Sequence, residues 1–179
     1  MLAVLAALAV LWVVMTHNSF VRLRNKADEA WSGVDVQLKR RHDLVPNLVE
    51  AVKGYAAHES AVLTEVTEAR AHAMSTFSPG ERPAAEARLS GALDGIRVVA
   101  EQYPELKAQE SFGRLQGQLA ELEDQIQAAR RIYNANVNAY NTVIQVFPSS
   151  LVAGSSFTTR ELFVLDSPAE RAVPVVAFG

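Results

Sequence analysis

The 179-residue sequence contains no cysteine, which excludes disulfides, thiolate metal ligands, a cysteine nucleophile and a lipidated cysteine. The redox compartment stays open, because a chain without cysteine suits either one. Glycine is scarce, at 9 residues, and none of them builds a phosphate-cradling loop or a Gly-x-Ser-x-Gly elbow. Also missing is Glu-x-x-His, the repeat by which helical bundles hold paired irons. Glu68 and His72 are four apart, and His58-Glu59 lacks the second histidine of a zinc-protease helix. A formal net charge of −3 provides no basic domain for nucleic acid. These absences lead to an expectation of no catalytic site, no cofactor, no metal, no nucleic-acid partner and no evident small-molecule substrate; the chain is not expected to be an enzyme.

What is present is apolar and patterned. Hydrophobic residues make up 49% and charged residues 21%, enough to fold one domain with a core. Leu2 to Met15 carries no charge, glycine or proline, and Phe20 and Val21 resume the run after Thr16-His17-Asn18-Ser19. Taken to Val21, the segment is about 20 residues or about 30 Å of helix, sufficient to cross a bilayer core. A cleaved signal peptide would need a basic n-region and a small-x-small cleavage site; Met1 alone precedes the run, and Val14-Met15-Thr16-His17-Asn18 provides no such box. A buried core helix fits less well, because the segment is apolar on every face. Residues 1–21 are therefore expected to be an uncleaved single-pass anchor. Arg22, Arg24 and Lys26 follow it directly, so the positive-inside rule places the N-terminus outside and the body in the cytoplasm of a bacterial cell membrane.

Beyond the anchor, apolar residues recur at helical spacing: Ala27, Trp31, Val34, Leu38, Val45, Leu48, Val52, Ala56, Val62, Val66 and Ala69. The stripe predicts one long helix to about Met74, broken by Ser75–Pro83, with Ser78-Pro79-Gly80 as turn chemistry. A second helix is expected from Ala84 to Gln102, on Leu89, Leu93, Ile96 and Ala100, ended by Pro104. A third runs from near Glu105 to Pro148, on Phe112, Leu115, Leu119, Leu122, Ile126, Ala129, Tyr133, Val137, Tyr140, Val143 and Phe147. The first and third helices are matched in length, which predicts an antiparallel up-and-down bundle of three to four long helices over residues 22–148. Residues 149–179 read as an irregular C-terminal arm whose apolar clusters, Leu162-Phe163-Val164 and Val173-Pro174-Val175-Val176, pack on the bundle. The fold class is all-α.

Polar residues interrupt the stripe. Asp35, His42 and Asn136 sit at or beside apolar positions, and each reads either as part of a buried relay or as a hydrogen-bonded group fixing helix register. Pro46 removes a backbone donor and crowds the carbonyl of His42, so the helix either kinks there or restarts at Asp43; a hinge between anchor and body is the functional alternative to a packing kink. Asn134, Asn138 and Asn141 share one helical face, and asparagine is a poor helix former, so they predict a polar seam or partner contact. Arg130-Arg131 beside them could pair with Glu50 or Glu59. Lys39-Arg40-Arg41 lies about 27 Å along a straight helix from Val21, well beyond a Debye length of about 8 Å, and reads as a solvated or partner-facing patch.

Three segments carry a family likeness. RNKADEAWSGVDVQLKRRHDLVPNLVEAVKGYAAHE (Arg24–Glu59), AEQYPELKAQESF (Ala100–Phe112) and ARRIYNANVNAYNTVIQVFPSSLVA (Ala129–Ala153) resemble the signature of the LemA family, in the family's order and after a hydrophobic N-terminal helix. The resemblance implies an up-and-down helical bundle on a membrane anchor with a short N-terminus outside, and it implies no reaction. The departure is an abbreviated N-terminus. The expected function is a membrane-anchored scaffold or adaptor, coiled-coil-like in its packing and acting through a protein partner or as a homo-oligomer. The alternatives are a membrane-remodelling oligomer, or an enzyme or sensor using His42, Asp35 and the asparagine face.

Overall fold

The computed structural model describes residues 1–56, 58–78 and 80–164. Among them every regular element is a helix: α1 (Leu2–Lys53), α2 (Ser60–Ser75), α3 (Arg82–Gln102), α4 (Pro104–Lys107), α5 (Glu110–Gln145) and α6 (Ser150–Ala153). The described residues divide into two compact units, one formed by residues 1–38 with 123–162 and the other by residues 39–122 with 163–164.

In the first unit, α1 is the one helix among the described residues long and apolar enough to cross a membrane. Residues 1–15 are exposed throughout, and burial begins in earnest at Phe20. From there the stripe does what its spacing predicts, with Phe20, Ala27, Val34 and Leu38 buried. Facing them on α5 are Ile126, Tyr133, Val137, Tyr140 and Ile144. Trp31 packs on Tyr133 with ring centroids 5.0 Å apart, Asn136 Nδ2 donates to the Lys26 carbonyl at 3.5 Å, and Phe20 shares a cluster with Tyr140 and Ile144. Residue numbers thus fall along α1 as they rise along α5. The chain then turns at Val146–Ser149 and returns: Phe157 meets Phe20 at 5.1 Å, Tyr140 Oη donates to the Thr158 carbonyl at 3.0 Å, and Tyr133 Oη to the Glu161 carbonyl at 2.9 Å.

The second unit is built on a core of Val45, Leu48 and Val52 from α1, Val66, Ala69 and Ala73 from α2, Leu89, Leu93 and Ile96 from α3, and Leu106, Phe112 and Leu119 beyond them. On the surface, Arg88 of α3 reaches Glu65 of α2 at 3.0 Å, and Gly95 lies close to Val62, where an added Cβ would sit 3.5 Å from its Cγ1.

Several expectations change. The first helix stops at Lys53 instead of running to Met74, because the chain turns at Gly54, where the Tyr55 and Ala56 amides both bond to the Val52 carbonyl. The stripe conceals this stop: from Ala56 to Val62–Leu63 is about two helical turns, so the periodicity keeps its phase across a non-helical joint. The helix expected from Glu105 is instead the single turn α4, with Pro104 opening it, followed by α5. Phe147, expected on the buried face, is 79% exposed, since α5 ends at Gln145 before the stripe reaches it. The arm contains the short α6, closed by Gly154 at a positive φ of 49° that glycine adopts without strain. Of its first apolar cluster Phe163 is buried whereas Leu162 and Val164 are exposed. The turn residue Pro79 and the cluster Val173-Pro174-Val175-Val176 lie outside the described residues.

Candidate functional site

The polar residues of the second unit converge on one carboxylate. Arg41 and His42 are adjacent on α1, and both reach Glu86 in the second turn of α3. All three are buried, at 3%, 4% and 1% exposure. Arg41 donates through Nη2 to a Glu86 carboxylate oxygen and to the Glu86 backbone carbonyl at 3.4 Å, while its Nη1 donates to Ser90 Oγ at 3.0 Å. His42 Nε2 lies 3.0 Å from Glu86 Oε1 and 3.3 Å from Oε2. Arg82, one turn back on α3, approaches Oε1 at 3.9 Å.

Burial pushes the Glu86 carboxyl toward neutrality, but the His42 hydrogen bond and the Arg41 charge outweigh it, and its pKa falls below the ordinary value. An ionised carboxylate only accepts, so His42 Nε2 carries the proton in this contact. The cluster is a hydrogen-bonded lock between α1 and α3, with its charges matched internally.

Sequence reasoning reaches one of its three members. Asp35 is partly buried on α1 and belongs to the first unit, whereas His42 is in the second. The basic triplet reads as a solvated patch; Lys39 and Arg40 are exposed, whereas Arg41 faces inward. Glu86 is the member that sequence reasoning misses. Its signal is there: it sits three residues before Leu89 and so extends the stripe of α3 with a charge in an apolar position.

Pro46 leaves α1 unbroken from Leu2 to Lys53, so no separate helix begins at Asp43. A proline at this position leaves the His42 carbonyl without its intrahelical donor. Arg70 of α2 takes it, with Nε donating at 2.7 Å. Pro46 itself is exposed. Its structural consequence is an acceptor opened on α1 for a cation on α2.

In the first unit, Asn141 pairs with the backbone of Arg160 in both directions: Nδ2 donates to the carbonyl and the Arg160 amide donates to Oδ1, each at 2.9 Å. That mimics a strand pairing and fastens the returning arm to α5. Arg160 in turn pairs with Asp28 of α1. Asn136 bridges to α1 through Lys26, Asn134 is partly buried and Asn138 is exposed. The three asparagines of the shared face therefore occupy three different environments. Glu50 pairs with Lys53 at 3.6 Å and Glu59 accepts from Tyr103 Oη at 3.4 Å. Burial, with Asp28 and Glu161 nearby, raises the Tyr133 phenol against the opposing pull of Arg160, keeping Tyr133 a donor to the arm. Among the described residues no group of three or more His, Asp or Glu side chains is arranged to hold a metal ion.

Comparison with known proteins gives a likeness that extends along most of the chain. Residues 30–178 match the LemA family. Magnetosome protein MamQ 2 of Paramagnetospirillum magneticum is 25% identical over 194 residues, covering 94% of this chain and 71% of the relative. Magnetosome protein MamQ of Magnetospirillum gryphiswaldense is 23% identical over 183 residues, covering 88% of this chain and 67% of the relative. Protein LemA of Metamycoplasma hominis is 28% identical over 140 residues, covering 76% of this chain and 63% of the relative.

Proposed function

Because this chain belongs to the LemA family, we propose that it is a membrane-anchored helical scaffold or adaptor, acting through contacts with a protein partner or with further copies of itself. In this reading α1 crosses a bacterial cell membrane once, the N-terminus lies outside, and the helical body is cytoplasmic, arranged as an antiparallel up-and-down bundle. The observation that carries it is α1 itself. Residues 1–15 are apolar and exposed, and the same uninterrupted helix continues as a packed element of the body. An apolar segment of this kind in water would carry an unfavourable term on the order of 25 cal/mol per Å² of surface, which a bilayer removes. The basic residues Arg22, Arg24 and Lys26 directly after it support the orientation.

The Arg41–His42–Glu86 cluster supports a structural role for the body, since its charged groups satisfy one another. The likeness along 94% of the chain to proteins named for the magnetosome, and along 76% to one named LemA, supports a role carried by the whole helical surface. Val36 on α1 and Ile132 on α5 are exposed apolar side chains on that surface, at 49% and 59%. The test is in-cell photo-crosslinking from these two positions in the full chain. Discrete adducts of higher mass, either with a second protein or with a second copy, are expected; an absence of adducts from both positions contradicts the scaffold reading.

A further inference from the structure

The membrane side of the first unit has an apolar tip that its own fold leaves uncovered. Val146 and Phe147, in the turn from α5 to α6, and Leu151, in α6, are exposed at 47%, 79% and 73%. Their height relative to α1 follows from the contacts on either side. Trp31 meets Tyr133, Lys26 meets Asn136, and Phe20 clusters with Tyr140 and Ile144, so α5 climbs toward the apolar end of α1. On the return, Phe157 packs on His17 at 5.2 Å and on Phe20 at 5.1 Å. The tip therefore lies level with, or beyond, His17.

That level is where a bilayer's hydrocarbon should end. Leu2–Met15 supplies about 21 Å of helix, short of a core of about 30 Å, whereas Leu2–Val21 supplies about 30 Å. The residues Thr16–Val21 that complete the span are those against which Phe157 and the end of α5 pack. All three segments are free of Asp, Glu, Lys and Arg next to the tip. Ile132–Thr159 is a run of 28 residues without Asp, Glu, Lys, Arg or His, and Leu2–Val21 has none but His17. On α1 charge resumes at Arg22, whereas on α5 it resumes only at Arg131, near the Trp31–Tyr133 contact, and on the arm at Arg160, paired to Asp28.

Part of the tip's backbone is satisfied within the tip. Ser149 Oγ, with one proton to share, lies 2.6 Å from the Val143 carbonyl and 2.9 Å from that of Val146, and so covers an acceptor at the end of α5. The Ser150 amide bonds to the Val146 carbonyl at 2.8 Å and the Leu151 amide to that of Pro148 at 3.1 Å. Each such bond suits a place at the edge of the bilayer, since hydrocarbon offers no replacement partners.

We infer that the α5–α6 turn is a second membrane contact, with Phe147 and Leu151 seated in the acyl–headgroup boundary beside the base of α1 and Arg22, Arg24 and Lys26 at headgroup level. The inference rests on the reading of α1 as a span. It gives the first unit a fixed tilt against the membrane, because two separated contacts orient a rigid unit where one helix leaves it free to pivot.

The absence of native cysteine makes the test direct. Single-cysteine variants Leu8→Cys, Phe147→Cys, Leu151→Cys and Arg131→Cys of the full chain are labelled with an environment-sensitive fluorophore and reconstituted into phosphatidylcholine–phosphatidylglycerol vesicles. Matched vesicles carry a nitroxide high on the acyl chain. Labels at 8, 147 and 151 are expected to emit as in a low-polarity medium and to be quenched several-fold more than the label at 131. Quenching at 8 with water-like emission at 147 and 151 overturns the second contact and leaves the span standing. Water-like emission at 8 as well overturns both.

Discussion

Replacing Glu86 by glutamine keeps the volume of the side chain and removes its charge, leaving Arg41 buried against an amide. Glu86 accepts from Arg41 and His42 at 1% exposure. A hydrogen bond to a charged group contributes about 1.5–3 kcal/mol, and breaking a buried ion pair from one side costs about 3–5 kcal/mol because the remaining charge is stranded. Glu86→Gln should therefore destabilise the protein by about 3–5 kcal/mol. At about 2–4 °C per kcal/mol for a chain of this size, Tm should fall by roughly 6–20 °C. Thermal unfolding of detergent-solubilised protein, followed by circular dichroism at the helix band, reads this directly. The triple variant Arg41→Met/His42→Leu/Glu86→Met removes all the buried polar groups together and should be far closer to wild type, within about 1–4 kcal/mol and on the stabilising side if it repacks. Acid adds an independent arm. The folded pKa of Glu86 lies below its ordinary value of 4.5, so its contribution is complete above that pH and is lost as pH falls through the folded value. Wild type should accordingly lose more stability than Glu86→Gln on acidification below about pH 4.5. A Glu86→Gln loss under about 1 kcal/mol, or a parallel acid profile, would refute the reasoning.

Other outcomes follow from individual contacts. Arg70→Met should cost about 1.5–3 kcal/mol by stripping the His42 carbonyl of its donor; in a Pro46→Ala background, where the backbone amide regained at that position restores the intrahelical bond, most of that cost should vanish, measurable by a double-mutant cycle. Asn141→Ala removes both bonds to the Arg160 backbone and should destabilise by about 1–3 kcal/mol, with amide exchange accelerating first around residues 158–161. Tyr133→Phe removes only the bond to the Glu161 carbonyl, should cost about 1 kcal/mol, and should leave the Trp31 ring contact and its near-ultraviolet signal intact.

Much of the fold is legible from spacing alone. Ala27, Val34, Leu38, Val45, Leu48, Val52, Val66 and Ala69 all come from the periodic stripe, and all are buried. The joint at Gly54 escapes because periodicity reports which face is apolar, not whether the backbone is continuous, and the turn spans nearly a whole number of helical turns. The break before α5 escapes because Leu106, buried in its own one-turn helix, lies ahead of the stripe, which begins only at Phe112. The polar cluster is half legible. His42 stands out as a polar residue on an apolar face, whereas Arg41 hides in a basic triplet, and Glu86 is separated from its partners by more than forty residues of sequence, a distance no helical period encodes. Pro46 is visible as an anomaly, but the cation that answers it lies on another helix. The asparagine face is visible as a pattern; that Asn141 holds an arm instead of a neighbouring helix depends on a return of the chain that composition does not foretell.

The central claim is that α1 holds the protein in the membrane with its helical body inside. Its most direct test is modification of an Arg131→Cys variant by a membrane-impermeant maleimide, read in the carbonate-washed membrane fraction. The account predicts no modification in intact cells and full modification after permeabilisation, with the protein remaining in the membrane pellet. Modification in intact cells, or release of the protein by carbonate, would contradict it.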